Sequence, residues 1–473
     1  MTDEKISAGS VYREAPRSFW GSLRWLGPGL ILVGSIVGSG ELVATPLLGA
    51  TAGYSFLWLI LLSCVIKVFF QIEIGRYALS SGQTSLEAFG EVSLPVGKKG
   101  RRINWLGWYW FFMVGAAIVQ QGAMVGGTAQ ALRLAFPNLL GPNTEAIFAI
   151  LTGVVASILL VGGHYIVVER GTILLVAVFT VLTIYTVISL QFTPFATSWS
   201  DLADGFRFQF PSDPKQRSQA MAAALTTFGI TGVGASELIA YPYWCLEKGY
   251  GVLTGPRNDS PDWVSRAKSW IRVMSLDAWA SMIVFTVATV AFYILAAEIL
   301  HPPFVDGAEL PKKSQMIERL GVMYADAFGP WSRVIYLLGA IAVLFSTLFV
   351  ATAGHARMMV DWFGLNGLLD RKNGETRRLG VAIFSVVFPQ IATIAYLTTG
   401  EPVLLIMISG VMQALMLPML GGAILYLAYT RTDPRIRGNA LWYLILWIAL
   451  LLMTMAASYM AYDSMSRLFA SMR

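Results

Sequence analysis

The chain is organised as long apolar blocks separated by short clusters of glycine, proline and charge. Eleven blocks, at about 27–50, 53–75, 104–134, 145–162, 170–192, 219–247, 271–300, 332–360, 379–397, 401–429 and 440–461, reach the length a helix needs to cross a bilayer core. The separators include Gly97-Lys98-Lys99-Gly100-Arg101-Arg102, Asp370-Arg371-Lys372-Asn373-Gly374 and Arg431-Thr432-Asp433-Pro434-Arg435. None of the connections is long enough for a separate soluble domain. The pattern predicts an all-α polytopic membrane protein with a cytoplasmic N-terminal arm over 1–24, a transmembrane domain over 25–461 and a C-terminal tail over 462–473.

Composition removes the soluble classes. Of 473 residues, 56% are hydrophobic and 13% charged, with a mean hydropathy of +0.61; soluble domains run at about 45–50% and about 25%. A soluble enzyme and a disordered scaffold are excluded. The excess of 34 basic over 28 acidic residues is a topology signal: the arm and the even-numbered loops hold 23 basic residues, the opposite side 10, and Lys67 lies within a span. The N-terminus is therefore expected in the cytoplasm and, with an odd number of spans, the C-terminus outside; the expected membrane is a bacterial inner membrane. Nucleic acid is not an expected partner. Residues 1–24 show no signal-peptide pattern, and Cys64 and Cys245 suggest neither a disulfide framework nor a thiolate metal site.

The chain contains an internal repeat. Residues 37–46, Val-Gly-Ser-Gly-Glu-Leu-Val-Ala-Thr-Pro, match residues 233–242, Val-Gly-Ala-Ser-Glu-Leu-Ile-Ala-Tyr-Pro, at six of ten positions. The copies lie in the first and sixth spans, five spans apart, so these helices cross in opposite directions. Inverted repeats of this kind build secondary transporters with a binding site near the midplane. The first repeat covers about 25–192, the second about 219–429, and the span at 440–461 is extra. Gly34, Gly38 and Gly40 interrupt one copy and Gly229, Gly232 and Gly234 the other. Both helices are expected to unwind there and offer backbone groups to a substrate; close helix packing through Gly34-x-x-x-Gly38 is the alternative.

Each copy also carries an acid, Glu41 or Glu237. A charge at the helix centre costs about 2.5–3.5 kcal/mol, so such acids face a cavity or a partner. The expected substrate site is Gly38, Ser39 and Glu41 with Gly234, Ala235, Ser236 and Glu237; the alternative is that the acids brace the unwound segments. Lys67, deep in the second span, is either their counter-ion or a lysine bent to the inner interface. His355 is either a proton shuttle or a solvated cap at a helix end, and Gln413 is a candidate amide ligand.

These residues resemble the Nramp divalent-metal transporters. Residues 27–50, Gly-Pro-Gly through Gly38-Ser39-Gly40-Glu41 to Leu48-Gly49-Ala50, are similar without gaps to the family's first helix, and Gly53-Tyr54-Ser55-Phe56-Leu57-Trp58 to the opening of its second. Gly229-Ile230-Thr231-Gly232 through Glu237-Leu238 resembles its sixth, Thr352-Ala353-Gly354-His355 with Met359-Val360-Asp361-Trp362-Phe363 its eighth, and Leu415-Met416-Leu417-Pro418 its tenth. The resemblance implies a five-plus-five inverted repeat of the LeuT type with helices 1 and 6 broken. It also implies departures at the chemistry: Gly38 and Glu41 stand where the family has the Asp and Asn of Asp-Pro-Gly-Asn. Ser236 and Leu238 stand at the Met and His of Met-Pro-His.

With thioether lost and oxygen donors kept, the expected metal ligands are Glu41, Glu237 and Ser236, and a hard cation such as Mg²⁺, Mn²⁺ or Ca²⁺ is the expected substrate. The alternatives are a small organic ammonium compound or amino acid on the same fold and, ranked lower, an ion channel. Enzyme motifs are lacking: no His-Glu-x-x-His, Gly-x-Ser-x-Gly or Walker loop occurs, and the histidines number only 3. No cofactor and no obligate protein partner are implied; the expected partners are the bilayer and the transported ion or molecule.

Overall fold

The computed structural model describes residues 12–471 apart from 39, 93, 97–100, 138, 162–164, 211, 303–316, 319–320, 322–323, 326–328 and 372. Its spanning helices follow the apolar blocks. Helix α1 comes in two halves, α1a (Pro28–Ile36) and α1b (Thr45–Ala52), joined through a π turn at Gly40–Ala44. After it come α2 (Leu57–Ser81), α3 (Trp105–Ala135), α4 (Thr144–Leu160) and α5 (Tyr165–Leu190). Helix α6 is again split, into α6a (Pro214–Ile230) and α6b (Ala235–Glu247). The remainder are α7 (Pro261–Ile299), α8 (Pro330–Leu365), α9 (Gly374–Thr399), α10 (Pro402–Thr430) and α11 (Ala440–Ser471).

Among the described residues, 10 segments are long and apolar enough to cross a membrane, and α5 lies where the fifth span is expected. The chain is a multi-pass integral membrane protein. Among the described residues the strands are a short antiparallel pair between α2 and α3, β1 (Leu94–Val96) and β2 (Arg101–Ile103).

Helix ends are set locally. α2 stops at Gly82, whose φ of +72° is a left-handed cap, and its amide donates to Ala78 O at 2.8 Å. α7 starts at Ser260, whose hydroxyl accepts from Trp263 N. α3 runs against α8, α9 and α10, while α7 packs along α1 and α2. This second set of contacts controls α1. Its N-terminus, Gly27-Pro28-Gly29, is capped by α7: Asp277 accepts from Gly27 N at 2.9 Å and Gly29 N at 2.5 Å, with Pro28 between them carrying no N–H.

Asp277 is fully buried, so removing it strands two buried donors, each worth about 1–3 kcal/mol. Asp277→Ala should therefore destabilise the folded protein by about 2–4 kcal/mol in a thermal melt of purified material. Asp277→Asn keeps an acceptor and should lose distinctly less; equal stability of all three proteins would refute the cap.

Candidate functional site

Both glycine-rich copies are breaks. α1a ends at Ile36 and α6a at Ile230, and regular helix does not run through Gly38 or Gly234. Each break leaves carbonyls on one side and amides on the other that hydrocarbon cannot satisfy. At α1a, Thr347 Oγ1 from α8 lies 3.1 Å from both Gly34 O and Val37 O. Gly38 is glycine for space, since a Cβ there would sit 1.9 Å from that hydroxyl. Beyond the break, Glu41 reaches back: Oε2 accepts from Gly38 N at 2.9 Å, and Oε1 is 3.0 Å from Thr289 Oγ1 of α7.

At α6a the helper is charged. Lys67 Nζ, from α2, donates to Phe228 O and to Thr231 O, the latter at 2.8 Å, and lies 4.8 Å from the Phe228 ring centroid. Gly232 then turns the chain with a φ of +67°. α6b begins at Gly234, which has no side chain to cap it. Gln413 of α10 supplies the oxygen, accepting from Ser236 N at 3.4 Å, and is itself held by Gln120 at 2.9 Å. A Cβ on Gly234 would lie 2.5 Å from Glu237 Oε2 and 2.6 Å from Gln413 Oε1, so two oxygens converge over this residue.

A cavity opens between α1a, α6b and α8, lined by Leu32, Ser35, Ser236, Glu237, Ala240, Trp244, Val350, Ala351, Gly354, His355 and Met358. It is small, about 10 Å³, room for one water-sized sphere. Ser35 Oγ donates to Glu237 Oε1 across it at 2.9 Å. His355 Nδ1 is 2.8 Å from Gln121 Nε2, and Gln121 Oε1 accepts from Thr352. With Gln121 Nε2 donating, Nδ1 of His355 is the accepting nitrogen of this pair. At the far end of α6b lies a larger cavity of about 340 Å³. There Asp361 accepts from Thr84 and Tyr243, both at 2.6 Å, and from Arg371 at 2.9 Å.

The expected site residues thus separate. Ser236 and Glu237 line the small cavity, and Gly234 and Gln413 sit behind them. Glu41 is fully buried and occupied by Gly38 N and Thr289. Ser39 lies outside the described residues. Lys67 is neither a contact counter-ion nor bent to the interface: its ammonium sits on carbonyls. His355 is not a solvated cap, being 4% exposed and paired with Gln121. Sequence reasoning missed Ser35, Thr289, Thr347 and the Gln120-Gln121 pair; two adjacent amides within an apolar span were the available signal.

A model of the family described as "natural resistance-associated macrophage protein-like" matches residues 29–463. The chain belongs to the Nramp family. It does so without that family's Asp-Pro-Gly-Asn and Met-Pro-His motifs, which are replaced at Gly38 to Glu41 and Ser236 to Leu238. An uncharacterized protein of Pasteurella multocida is 25% identical over 398 residues, covering 81% of this chain and 80% of that one. In structure the chain is similar to the manganese transporter of Eremococcus coleocola, with a TM-score of 0.70 and 16% identity over 96% of this chain and 90% of that one. It is also similar to MhsT in complex with L-phenylalanine, with a TM-score of 0.56 and 17% identity over 94% and 100%. The fold is accordingly of the LeuT type, and both family and fold are those of membrane transporters.

The crowding over Gly234 is testable. Gly234 has φ −72° and ψ 176°, open to any residue, so only space opposes a side chain. Gly234→Ala should cost about 1–3 kcal/mol in melting experiments. Combined with Gln413→Ala it should cost at least about 0.5 kcal/mol less than the sum of the single changes. Strict additivity would show that the two groups do not meet.

Proposed function

We propose that this Nramp protein is a secondary active transporter that moves a divalent metal cation of hard character by alternating access, with Glu237, Ser236 and Ser35 as its principal side-chain ligands. The observation that carries the proposal is the small cavity. Its wall carries the Glu237 carboxylate and the Ser35 and Ser236 hydroxyls, with His355 and Met358 beside them, around a space of about 10 Å³, whereas pockets for organic ligands run to about 300–1,000 Å³. Family membership supports a metal substrate. The oxygen donors among the lining residues support a hard one, since the Glu237 carboxylate and the Ser35 and Ser236 hydroxyls suit Mg²⁺ or Mn²⁺. Among the described residues no group of three or more His, Cys, Asp or Glu side chains could hold a metal ion, so on this reading hydroxyl and backbone oxygens share the coordination with Glu237.

On this reading Glu237 is the charged ligand and Glu41 is a brace for the break. Ser35 leaves Glu237 Oε1 to join the ion, and Gln413 Oε1 supports from behind. Energy comes from an ion gradient or the membrane potential. The basic-residue asymmetry supports a cytoplasmic N-terminus, an outer C-terminus and a bacterial inner membrane.

The test is uptake into proteoliposomes from a panel of Mn²⁺, Mg²⁺, Ca²⁺, amines and amino acids. Metal uptake is expected, with Glu237→Gln lowering it by about tenfold or more, the equivalent of about 1.4 kcal/mol of lost binding. Glu41→Gln should retain most of it, because an amide oxygen still accepts from Gly38 N. Uptake of an amine or amino acid without metal uptake would replace this reading; loss in Glu41→Gln with normal Glu237→Gln would reverse the roles of the acids.

A further inference from the structure

We infer that the end of α6a is a seat for a monovalent alkali cation, and that the Lys67 ammonium occupies it as a tethered substitute. The half-helix ends with carbonyls freed by the break, and two of them, Phe228 O and Thr231 O, converge on Nζ. The negative end of the α6a dipole is directed at the same place. Ser63 Oγ, one turn before Lys67 on α2, lies 3.4 Å from Phe228 O and 3.3 Å from Thr231 O. The Phe228 ring adds its face to the charge.

Two observations separate this from an ordinary buried ion pair. Among the described residues no carboxylate pairs with Lys67 Nζ at ion-pair distance; its direct contacts are two backbone carbonyls and a π face, and Glu41 and Glu237 act on it only from farther away. Thr231 Oγ1, fully buried at the same break, makes no hydrogen bond at all. Two carbonyls and a hydroxyl at the C-terminal end of a half-helix, with a buried threonine hydroxyl unpartnered at the same break, form the kind of donor set that takes Na⁺ or K⁺ in broken-helix transporters. An ammonium is the organic cation of matching charge. With the seat filled covalently, the protein has no need of free Na⁺ for its fold or its cycle.

Thermal melting of the purified full-length chain in NaCl, KCl and choline chloride of equal concentration tests this without reference to the transported substrate. The native protein should melt at the same temperature in all three. Lys67→Ala empties the seat and should melt about 5 °C higher in Na⁺ or K⁺ than in choline, with a saturating dose response. Lys67→Ser, which adds an oxygen donor, should show the same salt effect at lower cation concentration. Folding of either variant only in the alkali salt supports the assignment equally. A native protein stabilised specifically by Na⁺ overturns it. So does a folded Lys67→Ala with one melting temperature in every salt, or failure of both variants to fold in all three. Should uptake assays show an organic substrate, the salt effect stands unaffected.

Discussion

Everything in this structure depends on one constraint: a helix interrupted inside hydrocarbon must have its freed backbone groups satisfied by its neighbours. Hydrocarbon offers no water to do this. The breaks at Gly38 and Gly234 therefore recruit one side chain after another from surrounding helices: Thr347 from α8, Lys67 from α2 and Gln413 from α10. The glycines are the other half of the same arrangement. They let the chain turn at Gly232, and at Gly38 and Gly234 they leave room for the groups that come in.

Much of this was legible in the sequence because the controlling signal is coarse. Blocks of apolar residues specify spans, a repeated ten-residue phrase specifies opposite crossings, and glycines beside an acid specify a break. What could not be read is which helix supplies each partner. Thr347 and Thr289 each share an apolar span with another threonine, Thr352 and Thr286, and nothing in their local sequence marks them as partners of α1; Thr289 even contacts its own helix at Phe285 O, as Thr152 does at Phe148 O. His355 misled for a related reason. Its position near the end of an apolar block suggested solvent, but α8 continues to Leu365, which carries the histidine inside to meet Gln121.

The repeat also made the two acids look equivalent, and they are not. Both bind the first helix, Glu41 at Gly38 and Glu237 at Ser35, one turn apart. Glu41 belongs to the broken helix itself, so its carboxylate folds back three residues to an amide of its own chain and is completed by Thr289. Glu237 comes from the opposite repeat and meets α1a across a cavity, where its partner is a rotatable hydroxyl. An inverted repeat preserves backbone placement but not neighbours: α2 brings a lysine to α6, while α7 brings a threonine to α1. Identical letters at matched positions thus acquire different chemistry.

The way α1a is held bears on how such a machine moves. Its start is fixed by Asp277, its end by Thr347, and its face by the Ser35–Glu237 bond, so α6, α7 and α8 all hold the same nine-residue segment. Each hydrogen bond is worth about 0.5–1.5 kcal/mol net, which makes the hold a matter of a few kcal/mol. A ligand shifts such an equilibrium only by its differential affinity for the two states. An ion that takes Glu237 away from Ser35 acts on one of these bonds directly, and the others are spread over the same short helix. If Glu237 takes up the ion as proposed, the Ser35–Glu237 bond is where occupancy of the site would act on the position of α1a.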